Sequence, residues 1–292
     1  MRTIPLGPHD ARVGVIGYGA WPLSDSSPRP DEPQAIRVIH AALDGGATLI
    51  DTADAYCLHE GEAGHNERLV AKALRTWVGP REEVLVATKG GYVRPQGRWV
   101  HNGRPEHLRR ACDRSLLALG GERIDLYQLH GPDPDVPFDE SVGMLAELVA
   151  AGKIRWLGLS NVSVDQIRAA SGIVEVASVQ NRLNPFFREA VRDGVVDHCD
   201  REEIAFLAYS PLGGGRLNKK LPGIDVLSRL GARHGVSNHA VALAWVLAQG
   251  SSVIVIPAAR RVEHVTDSQS AAAVELEEEE LEEIERTEFS IA

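Results

Sequence analysis

Short apolar runs alternate with longer amphipathic segments along almost the whole chain. The runs are RVGVI (12–16), ATLID (47–51), EVLVATK (83–89), IDLYQLH (124–130), IRWLGLS (154–160), VASVQ (176–180), IAFLAYS (204–210) and SVIVIP (252–257). They are apolar at neighbouring positions rather than at alternate ones, as in strands buried on both faces. The segments between them keep helical spacing. In EPQAIRVIHAALDGG, Ile36, Ile39 and Leu43 recur every three or four residues, and Gly45 and Gly46 stop the helix. Pro105 sits in the first turn of PEHLRRACDRSLLALG, and Ser163 is placed to cap the helix that follows it.

Eight strand candidates, seven of them clearly followed by helices, predict one closed (β/α)8 TIM-barrel domain of class α/β over residues 1–292. An open, doubly wound sheet is the alternative, but GYGAWP (17–22) lacks the third glycine of a dinucleotide fingerprint and opens no helix. The opening MRTIPLGP, with its turn-forming Pro and Gly, is expected to cap the barrel floor.

Charge and cysteine usage narrow the function. A net charge of −10 argues against nucleic acid as the main partner, because a polyanion would be repelled. The acidic run ELEEEELEEIE (275–285) reads as a solvated helix with Leu276, Leu281 and Ile284 inward. Cys57, Cys112 and Cys199 show neither CxxC nor metal-ligand spacing, so no metal is expected. An odd cysteine count, the lack of an apolar leader in MRTIPLGPHD and apolar stretches too short to cross a bilayer suggest a reduced, cytoplasmic protein without a membrane partner.

In a barrel, functional groups gather where strands pass into the following loops. Strand two ends in Asp51, strand three in Lys89, strand four in His130, strand five in Ser160 and Asn161, strand six in Gln180 and Asn181, and strand seven in Tyr209 and Ser210. Each residue taken alone has an ordinary reading: an aspartate caps, a lysine reaches water, a histidine or tyrosine packs. Three of them at the ends of adjacent strands, with Tyr56 one short loop away, form a possible proton-donor set. A phenol with a pKa of ~10 is a poor acid at neutral pH. A neighbouring ammonium would lower that value, a carboxylate would hold the ammonium, and a histidine would direct a carbonyl oxygen toward the phenol.

Seven stretches in order carry a family resemblance: LIDTADAY (49–56), ATKGG (87–91), IDLYQLHGPD (124–133), GKIRWLGLSN (152–161), VQNRLNP (179–185), AYSPLGGG (208–215) and IPAARRVEHV (256–265). The chain resembles an aldo-keto reductase over most of its length. That resemblance implies a (β/α)8 fold and NADPH-dependent reduction of an aldehyde or ketone, with NADH the lesser cofactor. It also implies a catalytic tetrad of Asp51, Tyr56, Lys89 and His130, with Tyr56 as general acid, Lys89 depressing its pKa, Asp51 pairing with Lys89 and His130 orienting the carbonyl. Ser160, Asn161 and Gln180 match the groups that hold the nicotinamide carboxamide, Tyr209 the ring that stacks on it, and Ser210, Leu212 and Gly214 the loop along the pyrophosphate. AARRVEHVTDSQ (258–269) departs from the family pattern, with Ala258 where Gly is common and His264 and Ser268 at adenosine positions. Arg260, and beside it Arg261, are candidates for the 2′-phosphate. Family members often act as monomers, so a monomer or weak homo-oligomer is expected.

Trp21, Cys57, Trp99 and His101 lie in loops at the same rim; of these, Trp21 and Trp99 are the candidates for a pocket around a small-molecule carbonyl substrate. Two other functions fit parts of the pattern. One is a lyase in which Lys89 forms a Schiff base. The other is a cofactor-binding regulatory subunit with little turnover.

Overall fold

The computed structural model describes residues 1–8, 11–25 and 28–291. Eight parallel strands form its centre: β1 (Tyr18–Gly19), β2 (Leu49–Asp51), β3 (Leu85–Gly90), β4 (Ile124–Leu129), β5 (Ile154–Ser160), β6 (Val176–Arg182), β7 (Ala205–Tyr209) and β8 (Val253–Val255). They pair in sequence order, and Ile16 bridges to Val255 to close the sheet on itself. Gly17 N and Gly19 N donate across that seam to Val255 O and Pro257 O at 2.9 and 3.0 Å. The buried tyrosine Tyr18 secures it with a hydroxyl bond to Ala259 O at 2.7 Å.

The first apolar run is divided between two roles, which corrects the expectation of a strand over 12–16. Arg12–Gly14 pairs antiparallel with Thr3–Pro5, and the first barrel strand follows at Tyr18–Gly19. The run is apolar on both faces, so it can serve both partners. Val13 joins Leu6 in plugging the bottom of the barrel, while Ile16 already lies in the seam. The expected floor cap is therefore this hairpin.

Alternation inside each strand sorts side chains between the lumen and the helical shell. Leu49, Leu85, Ala87, Leu126, Trp156, Ala177, Ala205, Leu207, Ile254 and Ile256 fill the lower barrel with Leu6 and Val13. Their neighbours Ile50, Val86, Tyr127, Leu129, Val179, Phe206 and Val255 pack outward against the helices. The same parity carries Asp51, Lys89, Gln128 and Tyr209 to the upper lumen; in β6 the register shifts between Val176 and Ser178, so Gln180 rather than Asn181 joins them there. Gly158 makes room there: a Cβ at this position would stand 2.5 Å from Ser178 Oγ and 2.7 Å from Gln128 Cγ.

The helices begin and end on the expected residues. Asp31 caps Glu32–Asp44 through Gln34 N at 2.7 Å. Ser163 and Gln166 exchange both bonds of a capping box. Pro105 opens Pro105–Leu119, which ends at Gly120 in the left-handed region. The acidic helix Glu278–Arg286 buries Ile284, and it also turns Glu280 inward to meet Arg233 and His234, both at 3.0 Å. No helix among the described residues is long and apolar enough to cross a membrane.

Candidate active site

Lys89 is fully buried at the upper end of β3, and its ammonium spends its three donors there. It donates to Asp51 Oδ2 at 2.6 Å, to Thr52 O at 2.9 Å and to the Tyr56 hydroxyl at 3.0 Å. Strand pairing dictates the meeting of Asp51 and Lys89: Asp51 lies opposite Ala87 in the β2–β3 register, and Lys89 is the next inward position above it. The loop after β2 then turns through Ala53–Tyr56 and brings the phenol back over the same lysine.

Asp51 is held on its other oxygen as well. Gln180 Nε2 donates to Oδ1 at 2.8 Å and Gln128 Nε2 at 3.3 Å, and Gln180 Nε2 also reaches Gln128 Oε1 at 3.3 Å. Gln128 was not among the residues singled out from the sequence, although its place two residues before His130 in an alternating strand puts it in the lumen. Gln180 lies beneath the carboxylate, nearly fully buried, with its amide donor committed to Asp51.

The His130 ring stands edge-on to Tyr56, 5.7 Å between centroids. Burial, helped by the Lys89 and His101 charges, pushes its pKa well below the ordinary imidazole value, so the ring is neutral. Its Nδ1 is buried without a partner.

The phenol does not follow the sequence-based expectation of a lowered pKa. Burial, and then the Asp51 carboxylate, push Tyr56 well above its ordinary value. Burial also pulls Lys89 down, against the Asp51 charge that raises it. Lys89 is half of a neutralised ion pair, so it offers the phenol a hydrogen bond without a net positive field. The site holds a protonated phenol bonded to a charged pair.

Along the adjacent rim, Ser160 Oγ donates to Gln180 O at 2.8 Å, and Asn161 Nδ2 donates to His130 O and to Ser160 Oγ, both at 3.1 Å. Tyr209 hydroxyl donates to Asn161 Oδ1 at 2.8 Å. Asn161 and Ser210 adopt φ of 58° and 47°, left-handed conformations that non-glycine residues rarely take and that concentrate at functional sites. Leu212 is half-buried, and beyond it the chain around Gly214 and Gly215 is open, with nothing within 4 Å of a would-be Cβ. Arg260, Arg261 and His264 are exposed at the start of the helix Val262–Ser270. Ser268 is buried and turns its hydroxyl back to His264 O at 2.9 Å. The Ser160 and Asn161 side chains, the Tyr209 ring, the open glycine segment and the exposed cations follow one another along this edge, and as a set they suit a dinucleotide bearing an extra phosphate.

Trp21 and Trp99 stand at the mouth, about two-fifths exposed, and Trp99 is edge-on to Tyr56 at 6.3 Å and to His130 at 5.6 Å. His101 joins them through a 2.7 Å bond between its Nε2 and the Tyr92 hydroxyl. Cys57 does not face the mouth: it is fully buried, and burial pushes its thiol up to about 11. Asp25, Tyr92 and Arg94 complete the rim and were not singled out from the sequence. Residues 15–288 match the model of the Aldo/keto reductase family. The chain belongs to that family. It is an oxidoreductase.

Among relatives of this reductase, "Probable aldo-keto reductase 1" of Glycine max is 33% identical, over 97% of this chain and 88% of that protein. The 6-dehydroglucose reductase of Novosphingobium aromaticivorans is 31% identical over 92% of this chain and 90% of its own. A solved aldo-keto reductase from Klebsiella pneumoniae, in complex with NADPH, superimposes with a TM-score of 0.81 at 29% identity, covering 98% of this chain and 95% of that one.

Proposed function

We propose that this reductase converts the carbonyl of a small-molecule aldehyde or ketone to an alcohol with NADPH, Tyr56 acting as general acid. The observation that carries the reading is the buried contact set Asp51–Lys89–Tyr56, with the neutral His130 ring beside the phenol. NADPH, when bound, supplies the hydride. Tyr56, kept protonated by burial, gives its proton to the carbonyl oxygen as negative charge develops there. Lys89 donates a hydrogen bond to the phenolate left behind, and Asp51 keeps Lys89 charged and oriented. His130, uncharged, directs the carbonyl oxygen toward Tyr56. Ser160, Asn161 and Tyr209 would hold the nicotinamide end, and Ser210, Leu212, Gly214 and Arg260, with His264 near the adenosine, the phosphate end.

The alternatives fare less well. A Schiff-base lysine must present a free amine, and all three Lys89 donors are taken. A regulatory module without turnover would have no use for the buried Asp51–Lys89–Tyr56 set. The test is a fluorescence titration with NADPH and NADH followed by a carbonyl panel read by NADPH oxidation. Binding with turnover of at least one aldehyde supports the proposal. Binding without turnover of any carbonyl, and no effect of Tyr56→Phe, would sink it.

A further inference from the structure

One guanidinium ties together three of the loops that frame Tyr56. Arg94 lies in the loop after β3 and is 6% exposed. Its Nη1 donates to Asp25 Oδ1 at 2.5 Å and to Ala55 O at 3.3 Å, while Nε and Nη2 donate to Gly97 O at 3.2 and 2.8 Å. Asp25 belongs to the loop after β1 and accepts Trp21 Nε1 at 2.7 Å. Ala55 immediately precedes Tyr56. The guanidinium carbon also stands 4.2 Å from the Trp99 ring centroid, a cation–π contact.

This pair is buried on both sides, at 7% and 5% side-chain exposure. Attraction in such a pair roughly offsets the cost of desolvation, so the pair fixes geometry more than it adds stability. Arginine suits the task because its rigid planar fork holds three loops in one fixed geometry and stacks on Trp99 at the same time. With four of its five N–H groups committed and its charge met by Asp25, Arg94 is turned away from a ligand. What it presents to the mouth is the Trp99 indole, with Trp21 tied to the same carboxylate.

We propose that Arg94 is a positioning residue that holds Trp99 as a flat apolar wall beside Tyr56 and His130, and thereby selects neutral carbonyl compounds carrying an aromatic or other flat apolar group. This rests on the reductase reading above. Steady-state kinetics on benzaldehyde and propanal would test it, with Arg94→Lys, Asp25→Asn, Trp99→Leu and the Arg94→Lys/Trp99→Leu double variant.

Loss of one well-placed wall contact should raise the benzaldehyde KM about tenfold in each single variant. In Arg94→Lys and Asp25→Asn the propanal KM, both kcat values and the NADPH Kd should stay within about twofold. The double variant should be no worse than Trp99→Leu alone, because the two changes remove one wall. Equal losses on both aldehydes, additive effects in the double variant, or a wild-type preference for 4-carboxybenzaldehyde over benzaldehyde would each overturn the proposal.

Binding of benzyl alcohol, followed by tryptophan fluorescence, separates the two readings. If no aldehyde is turned over but Arg94→Lys still weakens benzyl alcohol binding about tenfold, reduction fails and the wall stands. If the wild-type protein reduces aldehydes but the variants bind benzyl alcohol equally well, the wall fails and reduction stands.

Discussion

Lys89 Nζ stands 2.6 Å from Asp51 Oδ2, and both side chains are almost completely shielded from water. Neither charge is tolerable there alone. Asp51→Ala should therefore destabilise the fold by about 3–5 kcal/mol, because it strands a buried ammonium. Lys89→Met/Asp51→Leu, which removes both charges at similar volume, should cost clearly less. Urea unfolding midpoints of the two variants decide it; a double variant as unstable as Asp51→Ala would show that the pair matters for more than mutual compensation.

Turnover should depend on the Tyr56 hydroxyl far more than cofactor binding does. Tyr56→Phe is expected to lower kcat by roughly 10²–10⁴-fold, the range for a lost general acid, with NADPH affinity nearly unchanged. Burial raises the phenol pKa, so the acid stays loaded as pH rises, and kcat for reduction should hold through neutral pH and decline only beyond ~10, the value of a free tyrosine. A large loss of NADPH binding in Tyr56→Phe, or a reduction rate already falling between neutral pH and that point, would count against the assignment.

Acid stability should report on a second buried histidine. Burial lowers the His107 pKa from 6.5 to about 4, and its Nε2 has no hydrogen-bond partner. The unfolded chain takes up this proton first as pH falls. The stability is therefore complete above 6.5 and is lost on going down through about 4. His107→Gln should flatten the decline of Tm across this window. An unchanged slope would show that other groups, such as the buried His130, govern it.

Arg260 is exposed, with one long bond, 3.3 Å, to Pro28 O. Its guanidinium is thus available to a phosphate at the dinucleotide edge. Arg260→Ala should weaken NADPH by about tenfold, in the range of a lost charge-assisted bond, and NADH hardly at all. Equal effects on both cofactors in fluorescence titrations would remove the 2′-phosphate role.

Much of the barrel could be read from the chain because its information is local. A run apolar on both faces must be buried on both sides, and helical spacing between such runs leaves a (β/α)8 arrangement as the best fit. The end of each run then marks the rim, which is why Asp51, Lys89 and His130 stood out before any coordinates did. The run at 12–16 failed this test: its short apolar stretch Val13–Ile16 satisfies a floor hairpin and a closing seam equally well, and only the neighbours available in three dimensions divide it.

The sequence by itself determined where each strand stops, through the loss of apolar character, and so which residues reach the rim. Only the tertiary structure decided what those residues become once assembled. Gln128 and Gln180 converge on Asp51 from strands 77 and 129 residues away along the chain. Arg94 finds Asp25 across 69 residues. The Tyr56 phenol rises in pKa where an isolated view of lysine beside tyrosine predicts a fall, because burial acts on the whole Asp51–Lys89–Tyr56 group. Periodicity depends on covalent neighbours, whereas desolvation and long-range hydrogen bonds depend on which strands and loops are packed side by side.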